Sequence, residues 1–331
     1  MIYGIGNPLI DIIVNVEEED LVALGIHKGT MALIDTERME ELLLFSKGRE
    51  VSYSCGGSAP NTIIALASLG IEVVLAGKVG ADENGGIYRS RLKELAVGDQ
   101  LADTTADLTG SSVILITPDS ERSMNTYLGA NRLYAAEDVD PKSVAEAAYF
   151  HFTGYMWDTK SQQEAIMRAL EVAKEQKTQV SFDIADPFAV GRYREDFLHL
   201  IEAHCDIVFA NREEARILFD NYDPYECCRS MGKLCSTAIV KNGKKGSYVS
   251  HNREVLQIPV RGPVVPTDTT GAGDVYAAGF LYGCHQGYSA KEAGIIASIL
   301  AGEIITQRGA QFSFEKSAIL REYFEAGEWR E

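Results

Sequence analysis

Asp274 closes the run Thr267-Asp268-Thr269-Thr270-Gly271-Ala272-Gly273, and an apolar stretch, 275–281, follows at once. A Thr/Gly loop that opens a helix presents unpaired backbone N–H groups at the positive end of the helix dipole, which suits an anion. A carboxylate beside bound phosphate would repel it, so Asp274 needs a task of its own. Taking the proton from a hydroxyl that attacks phosphorus is such a task. Loop and acid together point to phosphoryl transfer. The plainer reading is a helix-opening turn capped by Thr269 or Thr270.

Two further constellations weigh against the plain reading. Cys55-Gly56-Gly57-Ser58-Ala59-Pro60-Asn61 leads a diglycine into a helix. Paired glycines let a ligand approach the backbone, and Asn61 offers vicinal hydroxyls both a donor and an acceptor. Asn211-Arg212-Glu213-Glu214 follows a strand directly, so Asn211 and Glu214 share a face of the first helical turn at the strand's carboxyl end. Ligands of open α/β sheets gather there. Competing phosphate loops fail: no G-x-x-x-x-G-K-[ST] occurs, and Gly4-Ile5-Gly6 runs into Asn7-Pro8-Leu9 without the third glycine of a dinucleotide fingerprint. Gly271-Ala272-Gly273 has Tyr276 in that place, and the H-R-D and D-F-G pair of protein kinases is missing.

The elements that must position these residues follow from periodicity. Strands are expected at 2–5, 73–76, 149–153, 180–183, 207–210 and 237–241, and helices at 59–69, 83–95, 161–175, 213–218, 273–286 and 290–306. Their alternation implies βαβ units and a mostly parallel sheet covered on both faces. Two stretches, 10–35 and 111–128, alternate apolar and polar residues instead, and read as strands of a small separate sheet acting as a lid. A lid suits phosphoryl transfer because ATP must be shielded from water.

Composition narrows the partners. The chain has 331 residues, 46% hydrophobic and 24% charged, with a net charge of −17. That is enough for one large domain, and the charge opposes a nucleic-acid partner. The six cysteines lack C-x-x-C spacing, and no run is apolar enough for a membrane span or leader. A cytoplasmic protein without a membrane partner is expected. His199 and His204 lie five apart with no third ligand near, which argues against zinc.

With these residues assembled, the chain resembles the ribokinase-like, or PfkB, family of sugar and nucleoside kinases. The likeness spans nearly all of 1–331 as one kinase domain, with the D-T-x-G-A-G-D element its most specific part. It implies a three-layer α/β/α sandwich with a small β lid, and transfer of the ATP γ-phosphate, with Mg²⁺, to a primary hydroxyl. Asp274 would be the base, and the N–H groups of Gly271, Ala272 and Gly273 the anion hole. Asn211 and Glu214 would position Mg²⁺ through water. Lys241, Gly243 and Gly246 belong to a turn resembling the family's nucleotide-side hairpin, where close approach of ATP would explain the glycines. By position, Asp268, Thr270, Ile304, Gly309 and Ser313 would surround K⁺.

The acceptor is read from two spacings. Asn7 and Asp11 lie four apart, and Asn61 follows Gly57 by four, both similar to the adenosine kinases of the family. Ribose hydroxyls would then meet Asp11, Asn61 and the Gly57 N–H beside Gly56. Tyr155, Met31 and Leu33 are candidates for stacking a base, although core packing explains them equally. A nucleoside acceptor, adenosine foremost, is expected. The alternative is a sugar kinase acting on ribose, fructose or a keto-deoxy sugar. A silent nucleotide or sugar sensor has no use for Asp274. The lid edges could pair two copies into a homodimer, although nothing in the sequence decides the assembly.

Overall fold

The computed structural model describes residues 1–119, 121–261 and 265–330. Its strands, in chain order, are β1 Ile2–Ile5, β2 Leu9–Asn15, β3 Met31–Leu33, β4 Val51–Gly56, β5 Val73–Gly80, β6 Gly98–Thr104 and β7 Ser111–Ile116. They continue with β8 Arg122–Tyr127, β9 Tyr149–Thr153, β10 Gln179–Asp183, β11 Ile207–Asn211, β12 Thr237–Lys241, β13 Ser247–His251 and β14 Glu254–Ile258. All six strands expected from apolar runs are present.

Nine strands form one sheet in the order β14-β13-β12-β11-β10-β9-β1-β5-β6. From β12 across to β6 every neighbour is parallel, and β13 and β14 add an antiparallel hairpin at one edge. Parallel strands covered on both faces need apolar residues on each, and β9 to β12 are buried almost throughout. The two-residue alternation divides them. Tyr3, Phe150, Phe152, Phe182 and Val208 pack toward the helices Lys160–Gln176 and Pro187–His204. Ile2, Ile207, Phe209 and Ile239 pack toward Ser58–Ser68, Ala272–His285 and Ala290–Ile304. Helix, sheet and helix make three layers.

The chain starts in the middle of this sheet at β1, builds outward to β6, then returns to add β9 on the other side of β1. The switch of direction opens a crevice beyond the carboxyl ends of β1 and β9, where open α/β sheets bind ligands. Asn7 and Tyr155 stand there, and the Asn7 Nδ2 donates to the Tyr155 carbonyl at 3.3 Å.

The second sheet runs β3-β8-β7-β2-β4. Its strand β4 lies outside both stretches read as lid. Within 10–35 the chain also makes a short helix, Glu18–Ala23, which buries only Leu21 and starts with acids at Glu18, Glu19 and Asp20. That first-turn charge favours a helix without leaving a long apolar periodicity to read.

Candidate active site

Gly271, at φ 74°, caps the helix Ala272–His285, and Asp274 is the third residue of that helix. The helix Ser58–Ser68 meets it head-on. Ser58 Oγ donates to Asp274 Oδ1 at 2.7 Å, Asn61 Nδ2 donates to Oδ2 at 3.0 Å, and Thr62 Oγ1 donates to the Asp274 carbonyl at 3.1 Å. Burial pushes the Asp274 carboxyl up to about 6, although the bonds from Asn61 and Ser58 and the Lys241 charge oppose it. The N–H groups of Gly271 and Gly273 find no acceptor among the described residues, whereas that of Ala272 donates to the Thr269 carbonyl at 3.2 Å. The cradle expected from three amides is, as folded, open at two.

Asp274 and this loop line a cavity of about 930 Å³, within the range of small-molecule sites. One wall is the inner face of the second sheet. Strand register sets Asp11 opposite Ser112, Ser112 opposite Thr126, and Thr126 opposite Leu33, giving a mainly polar row. One pleat further, Ile13, Ile114, Met124 and Met31 form an apolar row. Ser112 and Thr126 share a hydrogen bond of 2.9 Å. Asp11, Met31, Leu33, Gly57, Asn61 and Tyr155 all line the cavity. Gly56 does not, but a Cβ there would lie 2.5 Å from the Asp11 carboxylate, so its bareness seats Asp11. Burial pushes the Asp11 carboxyl up to about 7 against the pull of Arg122.

Asn7 lines the cavity with its amide already engaged. Its Oδ1 accepts from Gln162 Nε2 at 3.0 Å while Nδ2 holds the Tyr155 carbonyl, so it ties β1 to β9. Gln162 carried no signal in the sequence, because its partner lies 155 residues away.

Asn211 and Glu214 form a reciprocal helix cap: Asn211 Oδ1 accepts from the Glu214 N–H at 2.9 Å, and Glu214 Oε2 accepts from the Asn211 N–H at 2.7 Å. Both also line the cavity, with Asp183, Asp186 and Lys241 beside them. Burial raises the Glu214 carboxyl despite the nearby Lys241 ammonium. Among the described residues no three His, Cys, Asp or Glu side chains gather as a metal cage. Mg²⁺ usually keeps several waters and takes one or two carboxylates plus phosphate oxygens, a role Asn211 and Glu214 could fill through water. Gly243 and Gly246 line the same end. The glycine at 246 is required by φ 84° and by the Ile258 carbonyl, 2.0 Å from any Cβ there, rather than by a ligand.

The loop around Asp268 is filled from within. Its Oδ1 accepts the Thr270 N–H at 3.0 Å, and its Oδ2 accepts the Gly309 N–H at 2.8 Å and the Arg122 guanidinium at 2.5 Å. Burial acts upward on the Asp268 carboxyl, but the Gly309 and Thr270 N–H groups and Arg122 hold it below the usual range. The Ile304 carbonyl accepts from the Gln307 N–H at 3.3 Å, and Ser313 Oγ from the Lys316 N–H at 3.2 Å. Arg122, from β8, places a fixed positive charge beside Asp268.

Comparison with known proteins agrees with this architecture. The pfkB family carbohydrate kinase pattern matches residues 19–317. Adenosine kinase from Sinorhizobium meliloti superposes with a TM-score of 0.87 at 36% identity, over 96% of this chain and 98% of that one. A probable sugar kinase from Rhizobium etli gives 0.89 at 36% identity, over 98% of each chain. An ATP-dependent ribose-1-phosphate kinase from Halopiger xanaduensis is 32% identical over 237 residues, 70% of this chain and 74% of that protein. A large, mostly parallel sheet, an amide cradle at a helix start and these likenesses converge: the chain belongs to the pfkB family of carbohydrate kinases, ATP-dependent phosphotransferases.

Proposed function

We propose that this kinase transfers the γ-phosphate of ATP to the 5′-hydroxyl of a nucleoside, adenosine foremost. The apolar wall at the acceptor end carries the reading. Leu9, Met31, Leu33, Met124, Leu128 and Tyr155 all line the cavity that Asp11 lines. An aromatic base covers such a surface, whereas a free sugar leaves it wet. Asn61 Oδ1 is buried without a partner among the described residues, and a ribose hydroxyl donating to it would satisfy it. The spacing of Asn7, Asp11, Gly57 and Asn61, similar to adenosine kinases, points the same way.

In this mechanism the acceptor oxygen bonds to phosphorus as its proton passes to Asp274. The bond from the γ-phosphorus to the bridging oxygen breaks, and ADP leaves with the electron pair. The Gly271 and Gly273 amides hold the moving group. Asn211 and Glu214 would hold waters of Mg²⁺, which neutralises charge on the phosphates. The two free edges of the lid sheet, β3 and β4, remain the proposed contact of a homodimer.

A sugar acceptor is the second reading. The Ser112 and Thr126 hydroxyls beside Asp11 offer a polyhydroxy substrate further partners. An ADP-release assay over adenosine, guanosine, inosine, ribose, fructose and 2-keto-3-deoxygluconate, with and without K⁺, separates the two. Adenosine is expected to give the highest kcat/KM. A free sugar preferred over every nucleoside would overturn the nucleoside reading. Because Arg122 supplies the charge at Asp268, activity is expected to persist when K⁺ is replaced by tetramethylammonium, and loss of turnover there would contradict that role.

A further inference from the structure

Lys241 ends β12 on the face covered by the helix Ala272–His285, and Asp183 ends β10 on the same face. Lys241 Nζ lies 2.8 Å from Asp183 Oδ2, with side chains only 16% and 4% exposed. A Cβ built on Gly273 would stand 3.2 Å from that Nζ, its sole neighbour within 4 Å. The ammonium therefore rests against the backbone of the cradle, next to the open Gly273 N–H.

An ammonium has three donors, and Asp183 is the one hydrogen-bond partner of Lys241 among the described residues. Two donors remain for whatever enters the cavity that Lys241 lines. Asp183, Asp186, Glu214 and Asp274 are among six carboxylates that line the same cavity. Phosphates arriving among them need fixed positive charge as well as metal. A buried ion pair gives little stability over an apolar pair of like volume. Its place beside the cradle needs a different account.

We propose that Lys241 is a catalytic residue, the side-chain arm of the anion cradle. Its ammonium donates to an oxygen of the transferring phosphoryl group, and Asp183 aims it. As the acceptor oxygen bonds to phosphorus and the bridging oxygen leaves with ADP, Lys241 bonds the charge on the moving group. Its own proton stays in place, and the acceptor proton goes to Asp274. The role rests on the phosphotransfer reading but not on which acceptor is used.

Lys241→Met tests it with the best acceptor of the panel above. The expected result is a fall in kcat of ~10²–10³-fold, as for loss of one oxyanion donor, with the acceptor KM and the calorimetric affinity for ADP·Mg²⁺ little changed. Lys241→Arg should recover a substantial part of the loss. Asp183→Asn/Lys241→Met removes both charges together, so neither is stranded and folding is preserved; its kcat should fall as far as that of Lys241→Met. Near wild-type kcat in the double variant would overturn the proposal. So would a loss seen only in melting temperature or in KM. A wild-type enzyme that phosphorylates no member of the panel would instead defeat the acceptor reading, a distinguishable outcome.

Discussion

Asp274→Asn is expected to lower kcat by ~10²–10⁴-fold, the usual share of a positioned general base. Asparagine keeps the shape and one acceptor oxygen for Ser58 or Asn61 but cannot take a proton. Affinity for ATP should survive, since the amides and Lys241 are untouched. The pH profile supplies a second signature. A base works ionised, and burial pushes Asp274 up to about 6, so wild-type kcat/KM should climb as pH rises through that value. On the proposed reading that acceptor hydroxyls donate to Asp11, raised by burial to about 7, its ionisation should add a second rise. Asp274→Asn should erase the lower step and keep the upper. An unchanged kcat would remove Asp274 from the chemistry.

The second large effect is expected from Gly271→Val. Gly271 sits at φ 74°, and a Cβ there would lie 2.4 Å from the Ala310 Cβ and 2.9 Å from its Cα. The left-handed backbone alone costs a branched residue ~1–2 kcal/mol, and relieving the clash must turn the Gly271 N–H away from the cavity. Loss of one cradle donor predicts a fall in kcat of ~10²–10³-fold. Gly287→Val is the control: φ is 78° there, but nothing lies within 4 Å, and the site is past the far end of the same helix. It should lower the melting temperature through backbone strain alone while kcat stays near wild type. Equal kcat losses in both variants would assign the effect to general destabilisation.

Local chemistry was legible in the sequence and distant chemistry was not. The cradle lies within a few residues of its acid, and Asn211 lies three from Glu214, so spacing alone exposed each pair. Ser58 reaches Asp274 across 216 positions, Arg122 reaches Asp268 across 146 and Lys241 reaches Asp183 across 58. Only the fold brings these together. Among strands, the central ones announced themselves as apolar runs, whereas β4, β6 and β14 stand at sheet edges and went unread. An edge strand is half in water, and β4, Val-Ser-Tyr-Ser-Cys-Gly, buries only Cys55 and Gly56. The helix Pro187–His204 was hidden for another reason: its backbone breaks at Tyr193, which interrupts the apolar period. The glycines at 243 and 246 were visible, but the hairpin closure that requires Gly246 was not, because it depends on the Ile258 carbonyl.

A crystal structure with a non-hydrolysable ATP analogue, Mg²⁺ and adenosine tests the central claim most directly. The account predicts an Asp274 carboxylate oxygen ~3 Å from the 5′-oxygen, and the Gly271 and Gly273 amides on the γ-phosphate. An Asp274 side chain turned away from both the acceptor oxygen and the triphosphate would contradict it.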